Sequence, residues 1–86
     1  MSKLMSKMHK ERIIKNIDKI HTTEMGAGRI QKNLGISEEG VGYCISKLKK
    51  EEAIVSKNGK NYYVEVDDCI ITINSSSFTI ITAHKN

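Results

Sequence analysis

Proline is absent from the chain, which excludes long rigid loops and Pro-rich linkers. Cysteine is nearly so. Cys44 and Cys69 are too few for a disulfide framework and lack metal-ligand spacing. Each falls on the apolar parity of its segment, which suits a small buried hydrophobe. No apolar run approaches the roughly 20 residues needed to span a bilayer. The start is rich in Lys and Met but has no apolar stretch of the secretory kind, so a cytoplasmic protein is expected. A phosphate-binding glycine loop is also missing, because Gly26 and Gly28 lack a preceding strand and the full spacing. No carboxylates are paired as in glycosidases, and Asp67-Asp68 reads as a turn rather than a metal site. Neither a metal nor another cofactor is expected.

What remains is a short basic chain. Its 86 residues suffice for one domain, since a second would have too little chain for its own core. The net charge is +4, and the first twenty residues carry all of that excess. Lys3, Lys7, Lys10, Arg12, Lys15 and Lys19 stand there against Glu11 and Asp18. Such a segment attracts phosphate backbones or acidic partners, or is simply a solvated face.

Apolar spacing predicts three helices. Ile13, Ile17 and Ile20, with Ile14 at the edge, mark an amphipathic helix over residues 9–21. Leu4 and Met8 fall on the opposite side of that wheel, so residues 1–8 are expected as a flexible extension and 9–86 as the domain. Thr22 or Thr23 would cap a second helix with the stripe Ala27, Ile30, Leu34, which Gly35 ends. Ser37 would cap a third, carrying Val41, Cys44, Ile45 and Leu48 on its inner side. Gly40 and Gly42 each cost about 1 kcal/mol relative to Ala inside a helix, implying close backbone approach or a mobile first turn.

From Ile54 the period changes to two. Asn58-Gly59 predicts a type I′ hairpin joining Ile54–Lys57 to Lys60–Val66. Turns at Asp67-Asp68 and Ser75–Ser77 then separate Cys69–Asn74 from Phe78–Ala83. Tyr62, Val64, Val66, Cys69, Ile71, Ile73, Phe78 and Ile80 share the face expected to meet the helices. Tyr63, Glu65, Thr72, Asn74 and Thr79 point away, with Ile70 and Ile81 among them. The fold class expected is α+β, three N-terminal helices of helix-turn-helix type packed on a C-terminal four-stranded antiparallel sheet.

Several motifs carry resemblances. RIQKNLGISEEGVGYCISKLKKEEAIVSKNGKNYYV, residues 29–64, resembles a winged helix-turn-helix domain in its turn and its core spacing. The resemblance implies that residues 37–50 form a recognition helix and that Lys57 to Lys60 tip a wing. Two departures accompany it. Gln31 stands where that family has Ala, and Glu38-Glu39 would repel phosphate at the end meant for base edges. That leaves Tyr43, Ser46, Lys47 and Lys50 for contact, with Lys57 and Lys60 on the wing and Lys10 and Arg12 on the basic first helix. Tyr63, if exposed beside Lys60 and Asn61, would stack on a base.

GKNYYV followed by CIITINSSSFTIITAHK resembles a family of short bacterial proteins known only as a domain of unknown function. That likeness reaches back through His21-Thr22-Thr23-Glu24 and implies no activity. Helices followed by four strands ending Thr-Ile-Ile-Thr-Ala-His also resemble metal-independent ribonuclease toxins of the barnase, colicin and RelE type. In that reading His21 and His84 exchange protons, Arg29 and Lys32 hold phosphate, and Thr79 or Thr82 positions it. His9 has no separate role. Three functions stay open: a small regulatory nucleic-acid-binding protein (DNA favoured over RNA), an endoribonuclease, and a protein-binding inhibitor or adaptor of phage type. A hairpin projecting as a free wing would favour duplex binding, and one lying inside a continuous sheet would favour the other two.

Overall fold

A computed structural model describes residues 3–86. The elements run α1 (Lys3–Lys15), a 3-10 turn (Ile17–Lys19), α2 (Glu24–Leu34), α3 (Gly40–Leu48), then β1 (Ile54–Asn58), β2 (Asn61–Val66), β3 (Cys69–Asn74) and β4 (Ile80–Lys85). Three helices followed by a four-stranded antiparallel sheet is the arrangement the hydrophobic periods predict. The strands pair in sequence order, so the sheet is a meander. Its helix-facing side and the helical stripes bury one shared core, with Ile13, Ile30, Cys44, Leu48, Val64, Ile71 and Ile73 at most 2% exposed. Among the described residues no helix is long and apolar enough to cross a membrane.

Helix α1 starts earlier than its apolar spacing suggests. Of the segment 1–8 expected as an extension, residues 1–2 lie outside the described residues, and residues 3–8 are helical. Ser6 shows why: its hydroxyl accepts the backbone N–H of Val55 at 2.9 Å, a polar contact that no hydrophobic period reports. The regular helix then stops at Lys15, and the 3-10 turn carries Ile17 and Ile20 back onto the core.

Thr23 caps α2, its side chain accepting from Gly26, and Gly35 ends it at φ 65°. The cap of α3 differs from expectation. Glu39, not Ser37, holds the first turn, its two carboxylate oxygens accepting from Val41 (3.0 Å) and Gly42 (2.6 Å). A charged acceptor at the positive end of a helix is the stronger choice. Gly42 makes room for it, since a Cβ there would lie 2.9 Å from Glu39 Oε2. Gln31 donates to the Glu38 carbonyl at 2.8 Å, which accounts for an amide where Ala was expected.

The hairpin turns also exchange types. Asn58 pairs with Asn61, leaving Gly59-Lys60 as the central pair, and only Gly59 of the two has positive φ (63°), as type II′ requires. A turn centred on Asn58-Gly59 would have set Lys57 opposite Lys60, a like-charge pair that the observed register avoids. Asp67 (φ 49°) and Asp68 (φ 60°) instead form the left-handed pair of a type I′ turn.

The β1–β2 hairpin is not a free wing. Strand β2 pairs along its whole length with β3, so the hairpin is the first half of a continuous sheet. Strand β4 starts later than expected, and a register shift opposite Thr72 and Ile73 places both Ile80 and Ala83 on the core side. Ile81 and Thr82 between them are left outside the core.

Candidate nucleic-acid interface

The helical stripes share their core with one side of the sheet, α1 also running beside the β1 edge, and the register sorts the residues of the other side into three rows. Nearest the β1–β2 turn is an amide row of Asn58, Asn61 and Asn74. The middle row is Ser56, Tyr63, Thr72 and Thr82. The far row is Ile54, Glu65, Ile70 and His84. Thr72, flanked on both sides, is buried, while the remaining side chains of these rows are exposed or half-buried. Period-two alternation produces this sorting because every core residue of β1 to β3 takes the opposite parity.

The β1–β2 and β3–β4 turns meet at one end. The Ser75 N–H donates to the Lys60 carbonyl at 2.8 Å. Asn74 Oδ1 accepts from the N–H groups of Ser76 and Ser77, both at 2.9 Å. Phe78 follows at φ 59°, a conformation that turns its ring into the core. The His21 backbone then bridges this corner, donating to the Phe78 carbonyl and accepting from Ile80. Lys57 and Lys60 stand exposed at this end and form no ion pair among the described residues.

The other expected nucleic-acid contacts are occupied within the protein. Lys10 donates its ammonium to the carbonyls of Lys50 and Glu51, bracing α1 against the α3–β1 connection. Arg12 donates to the Tyr62 hydroxyl at 3.2 Å and lies 5.5 Å from the Phe78 ring centroid. Lys47 lies over Tyr43 at 5.0 Å. Lys47 and Lys50 both pair with Asp67, at 2.7 and 2.5 Å. Tyr43 is one helical turn from Lys47, but sequence patterning could not find the other partners, because they lie on distant elements.

Those two ammonium groups, Lys47 first, hold the Asp67 carboxyl below its ordinary value of 3.8, and the same bond raises Lys47. A depressed carboxyl stabilises the fold in full above its unfolded value and loses that contribution as pH falls through its folded value. The raised lysine loses its share at the opposite extreme, as pH climbs above the ordinary 10.5. Asp67→Asn, which still tolerates the left-handed turn, is therefore expected to be less stable than the parent at neutral pH. The difference should close below pH 3.8, as read from urea unfolding at both pH values. Equal stability at neutral pH would mean that these exposed pairs contribute nothing.

The residues of the ribonuclease reading do not converge. His21 Nδ1 bonds the Lys19 carbonyl at 2.8 Å, and a carbonyl can only accept, so Nδ1 carries the proton. In the neutral ring Nε2 then accepts from the Thr79 hydroxyl at 3.0 Å, and the Ser77 hydroxyl lies 2.8 Å from that of Thr79. His84 sits five positions further along the same strand direction, roughly 16 Å away at about 3.3 Å per residue. Its Nδ1 meets only the Lys85 carbonyl, at 3.2 Å. Arg29 lies on the exposed side of α2, and Thr82 faces Thr72 on the open side of the sheet. Of the two hydroxyls considered, Thr79 meets His21 and Thr82 does not. The Ser77 and Asn74 groups joined to this corner were not singled out, since only the turn geometry brings them there.

Two buried groups complete the inventory. Burial pushes the Cys44 thiol up to about 12, with Cys69 and Glu39 adding to it, so this is an inert core residue. His9 packs its ring against Tyr62 at 5.5 Å between centroids, and its Nε2 is the buried side-chain atom without a partner among the described residues.

Three helices followed by a four-stranded antiparallel meander, sharing one core, define an α+β protein. The family model described as a protein of unknown function, DUF3781, matches residues 14–84, and the chain belongs to that family. No curated protein and no solved structure matches it. The matched span contains Lys57, Lys60, Tyr63 and all three rows of the open face.

Proposed function

We propose that this chain binds nucleic acid, making its phosphate contacts at the end of the sheet where the two hairpin turns meet. The observation that carries the reading is the pair Lys57 and Lys60, both exposed and without a carboxylate partner among the described residues, on a chain of net charge +4. Unpaired lysines release condensed counterions when they meet phosphate, whereas paired ones must first break an internal contact. That distinction argues against a duplex read by α3. Lys47 and Lys50 are committed to Asp67, and the Glu39 carboxylate fills the helix end that would approach base edges. A hairpin held flush in the sheet gives no support to a duplex-gripping wing either. Nor does the nuclease reading gain support, because a proton donor and acceptor roughly 16 Å apart cannot flank one phosphate.

The test is binding of labelled oligonucleotides followed by fluorescence anisotropy across a salt series. Affinity is expected to fall steeply with salt. Replacing both Lys57 and Lys60 by Ala should weaken it and flatten the log–log salt slope by about 1.4 for a single strand. No association with any oligonucleotide at low salt would overturn the proposal.

A further inference from the structure

We infer that the bound strand is single and lies across the open side of the sheet, with one base stacked on Tyr63. The inference rests on the nucleic-acid reading above and adds the kind of strand and its seat.

Tyr63 occupies the middle row of the open side, half-buried, and among the described residues no hydrogen bond fixes it. Its cross-strand neighbours are Ser56 and Thr72, both short, so no long side chain stands beside the ring in its own row. An aromatic ring on a sheet surface suits an unpaired base, whose π-face is free; in a duplex that face is already stacked.

The rows on either side differ in a way that orients the strand. Toward the turns, the amides of Asn58 and Asn61 make no hydrogen bond among the described residues, and Lys60 adjoins them in the turn, while Lys57, opposite Tyr62, sits at the same end on the helix-facing parity. Carboxamides can donate and accept together, which matches the edge of a base. In the opposite direction the row turns apolar at Ile54 and Ile70 and holds the one carboxylate of the three rows, Glu65. The charge therefore selects one border. Phosphates meet the lysines, base edges meet the amides, and the ring supplies the platform between them and the isoleucines. A duplex would reach the lysines but could not place a base on Tyr63 without unpairing it.

The experiment uses the full chain with fluorescein-labelled U8, dT8 and a 16-base-pair duplex, at a salt concentration where the parent binds. Single strands are expected to bind more tightly than the duplex. Tyr63→Leu should weaken single-strand binding at least about tenfold while leaving duplex binding unchanged, and Tyr63→Phe, which keeps the ring, should stay within about twofold of the parent. Should Tyr63→Leu fail to fold by circular dichroism, Ser56→Glu keeps the test open. It places a carboxylate beside the ring and should also cost at least about tenfold.

Three results would overturn the inference. The first is duplex and single strands binding alike, with Tyr63→Leu silent while Lys57→Ala and Lys60→Ala still weaken both. That result leaves the nucleic-acid proposal standing and removes only the stacking seat. The second is a parent dimer in sedimentation velocity that Ser56→Glu splits, which would assign the open side to a second copy of the chain. The third is no binding of any oligonucleotide at low salt, which removes the broader proposal as well.

Discussion

Phe78→Ala is expected to lower the free energy of unfolding by about 3–4 kcal/mol, a large part of the total for a chain of this size. The ring is 4% exposed, and Arg12 lies over it, so the truncation leaves a cavity and strips a guanidinium of its aromatic neighbour. The backbone adds an unusual second effect. Phe78 holds φ 59°, a left-handed conformation that costs an ordinary L-residue about 1–2 kcal/mol and glycine almost nothing. Phe78→Gly should therefore be more stable than Phe78→Ala by about 1 kcal/mol, the reverse of the usual order. Urea unfolding of the two variants beside the parent decides it. If the glycine variant is the weaker one, the corner does not hold this backbone in solution.

The second large effect is expected at Gly40. A Cβ there would lie 3.0 Å from Ile30 Cγ2 and 3.2 Å from Ile30 Cβ. Ile30 is 1% exposed and cannot swing aside. Gly40→Val should thus force α2 and α3 apart and cost about 2 kcal/mol by overpacking. Gly28 provides the contrast, because it lies within α2 with nothing inside 4 Å of its would-be Cβ. Gly28→Ala should raise stability by about 1 kcal/mol through helix propensity alone. The two glycine substitutions are then expected to move the urea midpoint in opposite directions. An unchanged midpoint for Gly40→Val would show that the α2–α3 contact relaxes around the added methyls.

These sites also show which parts of the fold local pattern can reach. The stripes Ile30–Leu34 and Cys44–Leu48 and the alternation from Tyr62 to Ile73 are short-range periods, and each packs as its period implies, whereas Ala27 stays half-buried and Gly26 is the buried residue of its turn. Gly40 belongs with them, since the glycines there imply close approach or a mobile first turn, and close approach to Ile30 is what the start of α3 shows. Patterning failed where a contact spans the chain and at two local turns where a second preference overrode the first. Ser6 meets Val55, forty-nine positions away, and so extends α1 past its apolar face. Glu39 displaces Ser37 as cap because Gly42 clears space for it, a reason visible only in three dimensions. The first hairpin register turns on keeping Lys57 away from Lys60, which a dipeptide rule for Asn-Gly does not consider.

The candidate site divides in the same way. Lys57, Lys60 and Tyr63 were legible because turn position and strand parity are local properties. The remaining cations were named for their charge, and charge alone does not reveal a partner. Asp67 for Lys47 and Lys50, and the Tyr62 hydroxyl for Arg12, lie on other elements. His21 and His84 fail as a pair for a geometric reason. His21 bridges to Thr79 just before β4 and His84 lies near the far end of that strand, so the extended strand holds them apart.

The hydroxyl of Ser6 has a consequence for association. Strand β1 lies at the sheet margin, where an unmatched amide would invite the margin of another molecule to continue the ladder. By occupying the Val55 amide, a single helical serine takes one rung away from that ladder. Growth by strand addition is thereby opposed along one border, while the broad surface bearing Tyr63 stays uncovered.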